Sequence, residues 1–337
     1  MFNFHKDHKN LVITALLGYV ILSFVIAVVP AYQMLDVKPL PNQAELTDIE
    51  LKGLNIFVEE NCVACHTQQV RNIEMDKVWG DRPSMPSDYY YSKQRLDFWR
   101  QSPSLLGSER TGPDLTNVGK RQPGQEWHLL HFYNPRIVVK ESIMPGYPWL
   151  YEEKPESDIT DGDVVVPVPS KFLKNKNKKV VATKKVLHLI AYIQALKQAP
   201  LPDNTTVDFI SSSKKKTEKN SNEKAGINLP DGEKLYMQTC AACHQQNGKG
   251  LEGAFPPLAG SPIVNDEDPD LMVRIILQGY DARSEYGQMP GFATQLTDEE
   301  IAAIANHERT SWGNKASTIS TEDVRKIRDF VMKELNP

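Results

Sequence analysis

At 337 residues, with 39 basic against 43 acidic side chains and a formal charge of −4, the chain lacks the cationic excess that holds a polyanion, so a nucleic-acid partner is excluded on charge. Apolar residues make up 40% of it, enough for about two small cores and too few for a bundle of membrane spans. There are only four cysteines, and their placement is more informative than any bulk number.

Residues 1–10 are polar, with Lys6 and Lys9 against Asp7. An uncharged apolar run then extends from Leu11 to Val29 and stops at Pro30. That length crosses a bilayer as one helix. The rival is a cleaved signal peptide, whose apolar core is shorter and ends at a small-x-small site; Val28-Val29-Pro30-Ala31-Tyr32 is a poor one. The pattern predicts an uncleaved anchor, its basic flank on the cytoplasmic side. Pro39 and Pro41 mark a spacer, and tail, anchor and spacer together form a first segment, 1–45.

Thr47 and Glu50 stand three apart, a capping-box start. Ile49, Leu51, Leu54, Ile56, Phe57 and Val58 follow at helical spacing and lead into Cys62-Val63-Ala64-Cys65-His66. Two thiols three apart can each add to a haem vinyl group, and the next residue, an imidazole, can reach the iron. C-x-x-C-H is the attachment signature of a c-type haem. It recurs at Cys240-Ala241-Ala242-Cys243-His244, and the two copies use every cysteine. A shared zinc site would have to join two distant pairs and would leave both histidines unexplained. Haem attachment of this kind places most of the chain on the far side of a membrane.

Residues 68–106 are rich in Tyr, Trp, Arg and Pro without periodicity, either a wrap around a haem edge or a plain surface insertion. Gly112-Pro113-Asp114-Leu115 and then Ile143-Met144-Pro145 follow. A Met before Pro in a loop downstream of C-x-x-C-H suits the sixth ligand of an electron-transfer haem, so Met144 is the candidate, with His128, His131 and His188 as rivals. Residues 151–182 read as a solvated, Lys-rich insertion. Val186, Leu187, Leu189, Ile190, Ile193 and Leu196 predict the last helix of a first domain, 46–200. Ser and Lys runs across 201–226 predict a flexible tether, able to let an outer domain swing.

The second domain, 227–337, repeats the plan. Asp231 and Gly232 open a short segment running into Cys240. Phe255-Pro256-Pro257-Leu258 occupies the place of Gly112-Pro113-Asp114-Leu115. A proline carbonyl at that point orients the proximal imidazole, and Pro113 and Pro257 are the expected residues. Asp270 to Gly279 predicts a helix closed by Gly, Met289-Pro290 supplies a second Met ligand, and Thr297 and Glu300 form another capping box. The tail from Thr318 predicts one more amphipathic helix.

In this order the motifs are recognisable. The stretches Cys62-Val-Ala-Cys-His-Thr-Gln-Gln, Gly107-Ser-Glu-Arg-Thr-Gly-Pro-Asp-Leu, Glu126-Trp-His, Tyr133-Asn-Pro-Arg and Glu141-Ser-Ile-Met-Pro-Gly-Tyr-Pro-Trp-Leu resemble the membrane-anchored mono-haem subunit II (FixO/CcoO) of cbb(3)-type cytochrome c oxidases. Residues 227–314 resemble a separate class I cytochrome c domain, like those of the dihaem oxidase subunit. The resemblance implies a mainly α chain with one N-terminal transmembrane helix and two class I cytochrome c domains. It implies two covalent haem c groups, ligated by His66 with Met144 and by His244 with Met289. Ser108 becomes a candidate ligand of a calcium shared with the catalytic subunit. The implied partners are a polytopic haem-copper catalytic subunit, other cytochrome c subunits, a soluble or membrane-bound cytochrome c donor and membrane lipid. The implied place is a bacterial inner membrane, with the haem domains periplasmic. Val70-Arg71-Asn72 departs from the usual Ile-Arg-Pro, and Leu106 from a common Trp.

His/Met ligation leaves no open iron position, so the expected role is electron transfer to a neighbouring oxygen-reducing subunit, with no catalytic residue here. The rivals are a nitric oxide reductase cytochrome subunit, a dihaem peroxidase, whose open ligand position two Met-Pro pairs oppose, and a carrier without an oxidase.

Overall fold

The computed structural model describes residues 6–33, 36–93, 105–202, 205, 207–210, 229–282, 286–293 and 295–335. Helix α1, His8–Gln33, has a mean hydropathy of 2.7 over its most apolar window, and none of that window is covered by the rest of the chain. Such a surface is unfavourable in water and matches a bilayer span. Contrary to expectation, the helix continues through Pro30. Its turn at Phe24–Val28 is a π-helix, with the Val29 N–H bonding the Phe24 carbonyl. A widened turn of this kind is a recognised way for a helix to take in a local misfit.

In the first haem-motif unit, helix α2 (Asp48–Glu59) opens with the expected capping box: the Thr47 N–H donates to Glu50 Oε2 at 2.6 Å and the Glu50 N–H to Thr47 Oγ1 at 3.4 Å. Leu54, Ile56 and Phe57 are buried against α4 (Lys184–Ala195), which buries Val186, Leu189, Ile190, Tyr192 and Ile193. The helices cross at Gly53, where a Cβ would stand 1.9 Å from the His188 carbonyl oxygen. Helix α3 (Gln125–Tyr133) packs on α4 and buries His128, Leu129, Leu130, Phe132 and Tyr133.

Residues 151–182 are more than a solvated insertion. Strands β1 (Tyr151–Pro155), β2 (Val165–Val166) and β3 (Lys178–Ala182) form an antiparallel sheet in the order β1-β3-β2. Val166, Val180 and Val181 are buried, and the Tyr151 hydroxyl donates to the Leu129 carbonyl at 2.6 Å. Short β-branched runs between lysines suffice for one buried face.

The second unit comprises α5 (Gly232–Thr239), a turn at Ala241–His244, α7 (Asp270–Gln278), α8 (Asp298–Thr310) and α9 (Thr321–Leu335); the turn is counted as α6. Thr297 and Glu300 make the capping box of α8. Its core joins Val273, Ile276, Leu277, Ile301, Ala302 and Ala305 to Val324 and Val331 of α9. Gly232 repeats the role of Gly53: a Cβ there would lie 2.1 Å from the Ala303 carbonyl oxygen. Arg309, fully buried, donates to the carbonyls of Ser317 and Val264. Most of the expected tether, 201–226, lies outside the described residues. The two units touch, with Ala254 and Phe255 of the second packed into the core of the first.

Candidate haem-attachment sites

After α2 the chain turns through Asn61 in the left-handed region (φ 55°) into a single 3-10 turn, Cys62–Ala64. The His66 N–H bonds the Cys62 carbonyl at 3.0 Å, so the motif closes as a compact loop. The His66 Nδ1–H donates to the Pro113 carbonyl at 2.8 Å. A carbonyl can only accept, so the proton sits on Nδ1 and the Nε2 lone pair is free for a metal. Burial lowers the His66 pKa, opposed by the Pro113 bond and by Asp114, and this favours the neutral, ligating form. Gly112 lies flat against the ring, where a Cβ would stand 2.3 Å from Cε1.

The returning loop is fixed by a polar network. Asp114 accepts from Thr67 Oγ1 at 2.6 Å and from the Gln69 N–H at 2.8 Å. Arg110 donates to Thr67 Oγ1 and reaches both carboxylate oxygens of Asp76 at 2.6 Å. Burial raises the Asp76 pKa, but hydrogen bonds from Arg71 and Arg110 outweigh it and bring the carboxyl down to about 2.

Met144 sits in a loop, its N–H on Ser142 Oγ and its carbonyl on Arg136 Nη1, both at 3.3 Å. It packs against the apolar cluster that also contacts Cys62 and Val63. Of its rivals, His128 is buried with Nε2 2.7 Å from the Gln122 carbonyl, and burial takes its pKa down to about 4. His131 stacks on Trp127 at 4.4 Å, and its Nδ1 has no partner among the described residues. His188 is half-buried on α4. Ser108 is exposed, its N–H on the Val63 carbonyl at 3.3 Å, and no cluster of three His, Cys, Asp or Glu occurs among the described residues.

At the second site the His244 Nδ1–H donates to the Pro256 carbonyl at 2.9 Å. This corrects the expectation for Pro257. Pro256 is the register counterpart of Pro113, and Pro257, like Asp114, follows it and lines the cavity instead. That cavity has a volume of ≈ 390 Å³, and Cys240, Cys243, His244 and Met289 all line it. Met289 is placed by a two-residue antiparallel pairing, Gly279–Tyr280 with Met289–Pro290. Gly279, at φ 83°, closes α7 where a Cβ would be 2.5 Å from the Met289 carbonyl oxygen.

All four cysteines are free. Burial raises the thiol of Cys62 to about 12 and that of Cys243 to about 11, and it also raises Cys240. Thiols held protonated are poor zinc ligands and poor redox nucleophiles. Paired thiols beside an oriented imidazole and, in the second unit, a thioether on the same cavity are a donor set that fits covalent haem.

A profile of the family described as "Cytochrome C oxidase, mono-heme subunit/FixO" matches residues 3–166, and one described as "Cytochrome C oxidase, cbb3-type, subunit III" matches residues 228–307. Residues 3–166 belong to the FixO family, and a cbb3-type cytochrome c domain is fused behind them. The chain's cytochrome c domains imply covalently bound haem c, and its apolar N-terminal helix is consistent with a membrane anchor.

The chain is also similar to cytochrome c-552 of Thermus thermophilus, at 40% identity over 121 residues, 32% of the chain and 88% of that protein. It is 40% identical over 104 residues, 29% of the chain, to the cytochrome c subunit of a quinone alcohol dehydrogenase from Gluconacetobacter polyoxogenes, and 36% identical over 106 residues, again 29% of the chain, to the fructose dehydrogenase cytochrome subunit of Gluconobacter japonicus. The matches span only 22% of the length of each of those two subunits.

Motif spacing in the sequence left several residues of the site unnoticed. Trp127 Nε1–H donates to the Ala242 carbonyl at 3.2 Å, and Gln122 Nε2 lies 3.7 Å from Cys243 Sγ. Glu308 lines the second cavity, and the Asp76–Arg110 pair braces the first site. A Glu on an otherwise apolar helical stripe is the one sequence signal that points to Glu308, and motif spacing passes over it.

Proposed function

We infer that this chain is a dihaem electron-transfer subunit of a cbb(3)-type oxidase. In this reading Cys62 and Cys65 attach one haem c, and Cys240 and Cys243 a second. His66 and His244 would hold the irons through Nε2, together with Met144 and Met289. Bound haem supplies a reversible one-electron carrier at relatively high potential. The protein holds each imidazole neutral and aimed through the carbonyls of Pro113 and Pro256, and wraps the groups in apolar side chains that keep water out. A cytochrome c donor gives electrons to the second unit. The first unit faces the polytopic haem-copper subunit, where dioxygen is reduced, and Ser108 contributes to a calcium between them. The N-terminus is cytoplasmic and both haem units are periplasmic.

The observation that carries this reading is the second-site cavity, which gathers two thiols, an oriented imidazole and the Met289 thioether. The test is haem content and optical spectra of the purified chain, alone and with Met144→Ala or Met289→Ala. Two c-type haems per chain are expected, each variant removing one sulfur-ligated band. One haem per chain, or unchanged bands in both variants, overturns it.

A further inference from the structure

Helix α8 carries one residue that its packing does not explain. Ile301, Ile304, Ala305 and Glu308 occupy one helical stripe at i, i+3, i+4 and i+7. The first three are fully buried, and Glu308 is only 4% exposed. An apolar side chain is what that stripe calls for, since an unpaired buried carboxylate is costly. Its backbone is pinned, the carbonyl accepting from Asn314 Nδ2 at 2.8 Å, and its side chain lines the cavity that holds Cys240, Cys243, His244 and Met289.

No cation neutralises it among the described residues. Arg309, next in sequence, is committed to Ser317 and Val264. Arg328 of α9 pairs with Asp298 at the other end of α8. Helix α7 presents Met272, Ile275 and Ile276 to the cavity, none of them titratable. The titratable groups facing Glu308 are Tyr236 and Cys240 at the end of α5, whose own pKa values it helps to raise. Cys243 and His244 lie on the same wall, and Tyr280, Asp281 and Tyr286 elsewhere on the lining. His307, on the same helix, turns to Tyr236 and Trp312. Burial raises the Glu308 carboxyl to about 8, opposed by a hydrogen bond from the Cys240 thiol. Attachment of Cys240 as a thioether removes that S–H donor, so the balance of the carboxyl passes to the charge of whatever fills the cavity.

We propose that Glu308 is a proton-binding site coupled to the redox state of the second unit: it is ionised while the cavity holds the oxidised group, one positive charge above the reduced one, and takes one proton from solvent when that group gains one electron. The electron comes from the cytochrome c donor, or from an electrode in the test. No bond other than the carboxyl O–H is made, and reoxidation returns the proton. The coupling follows from electrostatics in a low-dielectric site, where a nearby positive charge favours the carboxylate and its loss favours the acid. This inference rests on reading the second cavity as a haem site.

The full chain, matured with haem and kept in detergent, is titrated electrochemically from about pH 5 to about pH 9, and reduced-minus-oxidised infrared difference spectra are recorded in H2O and D2O. One redox component is expected to fall in midpoint potential as pH rises, by one proton per electron at most. A protonated-carboxyl band is expected to appear on reduction and to shift in D2O, and both signatures are expected to be lost in Glu308→Gln. A wild-type chain with neither signature, or a Glu308→Gln chain that keeps both, overturns the proposal. If Glu308→Gln does not mature, the wild-type infrared band decides alone. A haem content below two per wild-type chain instead marks failure of the haem reading, separately from that of the proton site.

Discussion

Trp127, on the first unit, donates its indole N–H to the carbonyl of Ala242, inside the second C-x-x-C-H, at 3.2 Å. The attachment edge of the second unit is thus seated on α3 of the first. Gln122 at Cys243 and Gln245 at the Val138 carbonyl bracket the contact, and Phe255 is buried behind it. Trp127 in turn stacks on His131 with the rings 14° from parallel.

Trp127→Phe keeps the ring contact and removes one hydrogen bond, worth about 1 kcal/mol net, so the undocked population should rise roughly fivefold. Trp127→Ala should raise it further. Hydrogen exchange of the haem-loaded chain checks this: protection at Gln125–Tyr133 and Cys240–His244 should fall together, with haem content unchanged. Unaltered exchange in Trp127→Ala would mean that the seat is not held by this residue.

The Asp76–Arg110 pair predicts an acid limb. Asp76 is fully buried, and its carboxyl is held at about 2 against an ordinary 3.8. A depressed carboxylate contributes stability that is complete above the unfolded value and is lost as pH falls through the folded one. The contribution is therefore intact at pH 7 and decays between about pH 4 and about pH 2. Asp76→Asn removes the buried carboxylate that Arg71 and Arg110 share and should cost about 3 kcal/mol at neutral pH. The deficit relative to wild type should shrink as the pH is lowered through that window. Urea unfolding at pH 7 and at about pH 3 measures both points.

Local signals made much of this molecule legible. Thr47 with Glu50 and Thr297 with Glu300 announce their helices because a capping box is satisfied within four residues. The two C-x-x-C-H motifs are legible for the same reason. The sheet at 151–182 was hidden because Lys-rich composition masked Val166 and Val180, whose burial depends on the core around Leu129, far away in sequence. Pro256 was missed in favour of Pro257 because two adjacent prolines differ only in which carbonyl the loop turns toward His244. Gly53 and Gly232 lie nine and eight residues before Cys62 and Cys240. Their role as helix crossings shows only once His188 and Ala303 are in place. The Trp127 contact joins units whose mutual placement no local pattern encodes.

Gly112 should tolerate no side chain. A Cβ there would stand 2.3 Å from Cε1 and 2.7 Å from Nδ1 of His66, so Gly112→Ala must turn the ring or push the 112–115 loop away. Either movement breaks the 2.8 Å bond to Pro113 and with it the imidazole orientation, a change that in metal sites costs about 10–100-fold in affinity or activity. The expected outcome is loss or spectral alteration of the first haem with the second intact. Haem counting and low-temperature optical spectra of the full chain check it, and two unchanged bands would show that the loop relaxes freely.

Glu308 predicts a stability profile of the opposite sense to Asp76. Its folded pKa, about 8, lies above the ordinary 4.5, so between those values the folded chain binds a proton that the unfolded chain does not. Folding then weakens as pH rises through that window and levels off above the folded value. Glu308→Leu completes the apolar stripe of Ile301, Ile304 and Ala305 and removes the titration. Its advantage over wild type should be small near pH 5 and grow to at least ~10-fold in the folding equilibrium near pH 8, each pKa unit being worth about 1.4 kcal/mol. Chemical denaturation of the reduced, haem-loaded chain at the two pH values measures the difference. A gap that stays constant with pH would mean that the Glu308 carboxyl finds solvent or a counter-charge, and that its burial against Cys240 does not persist in solution.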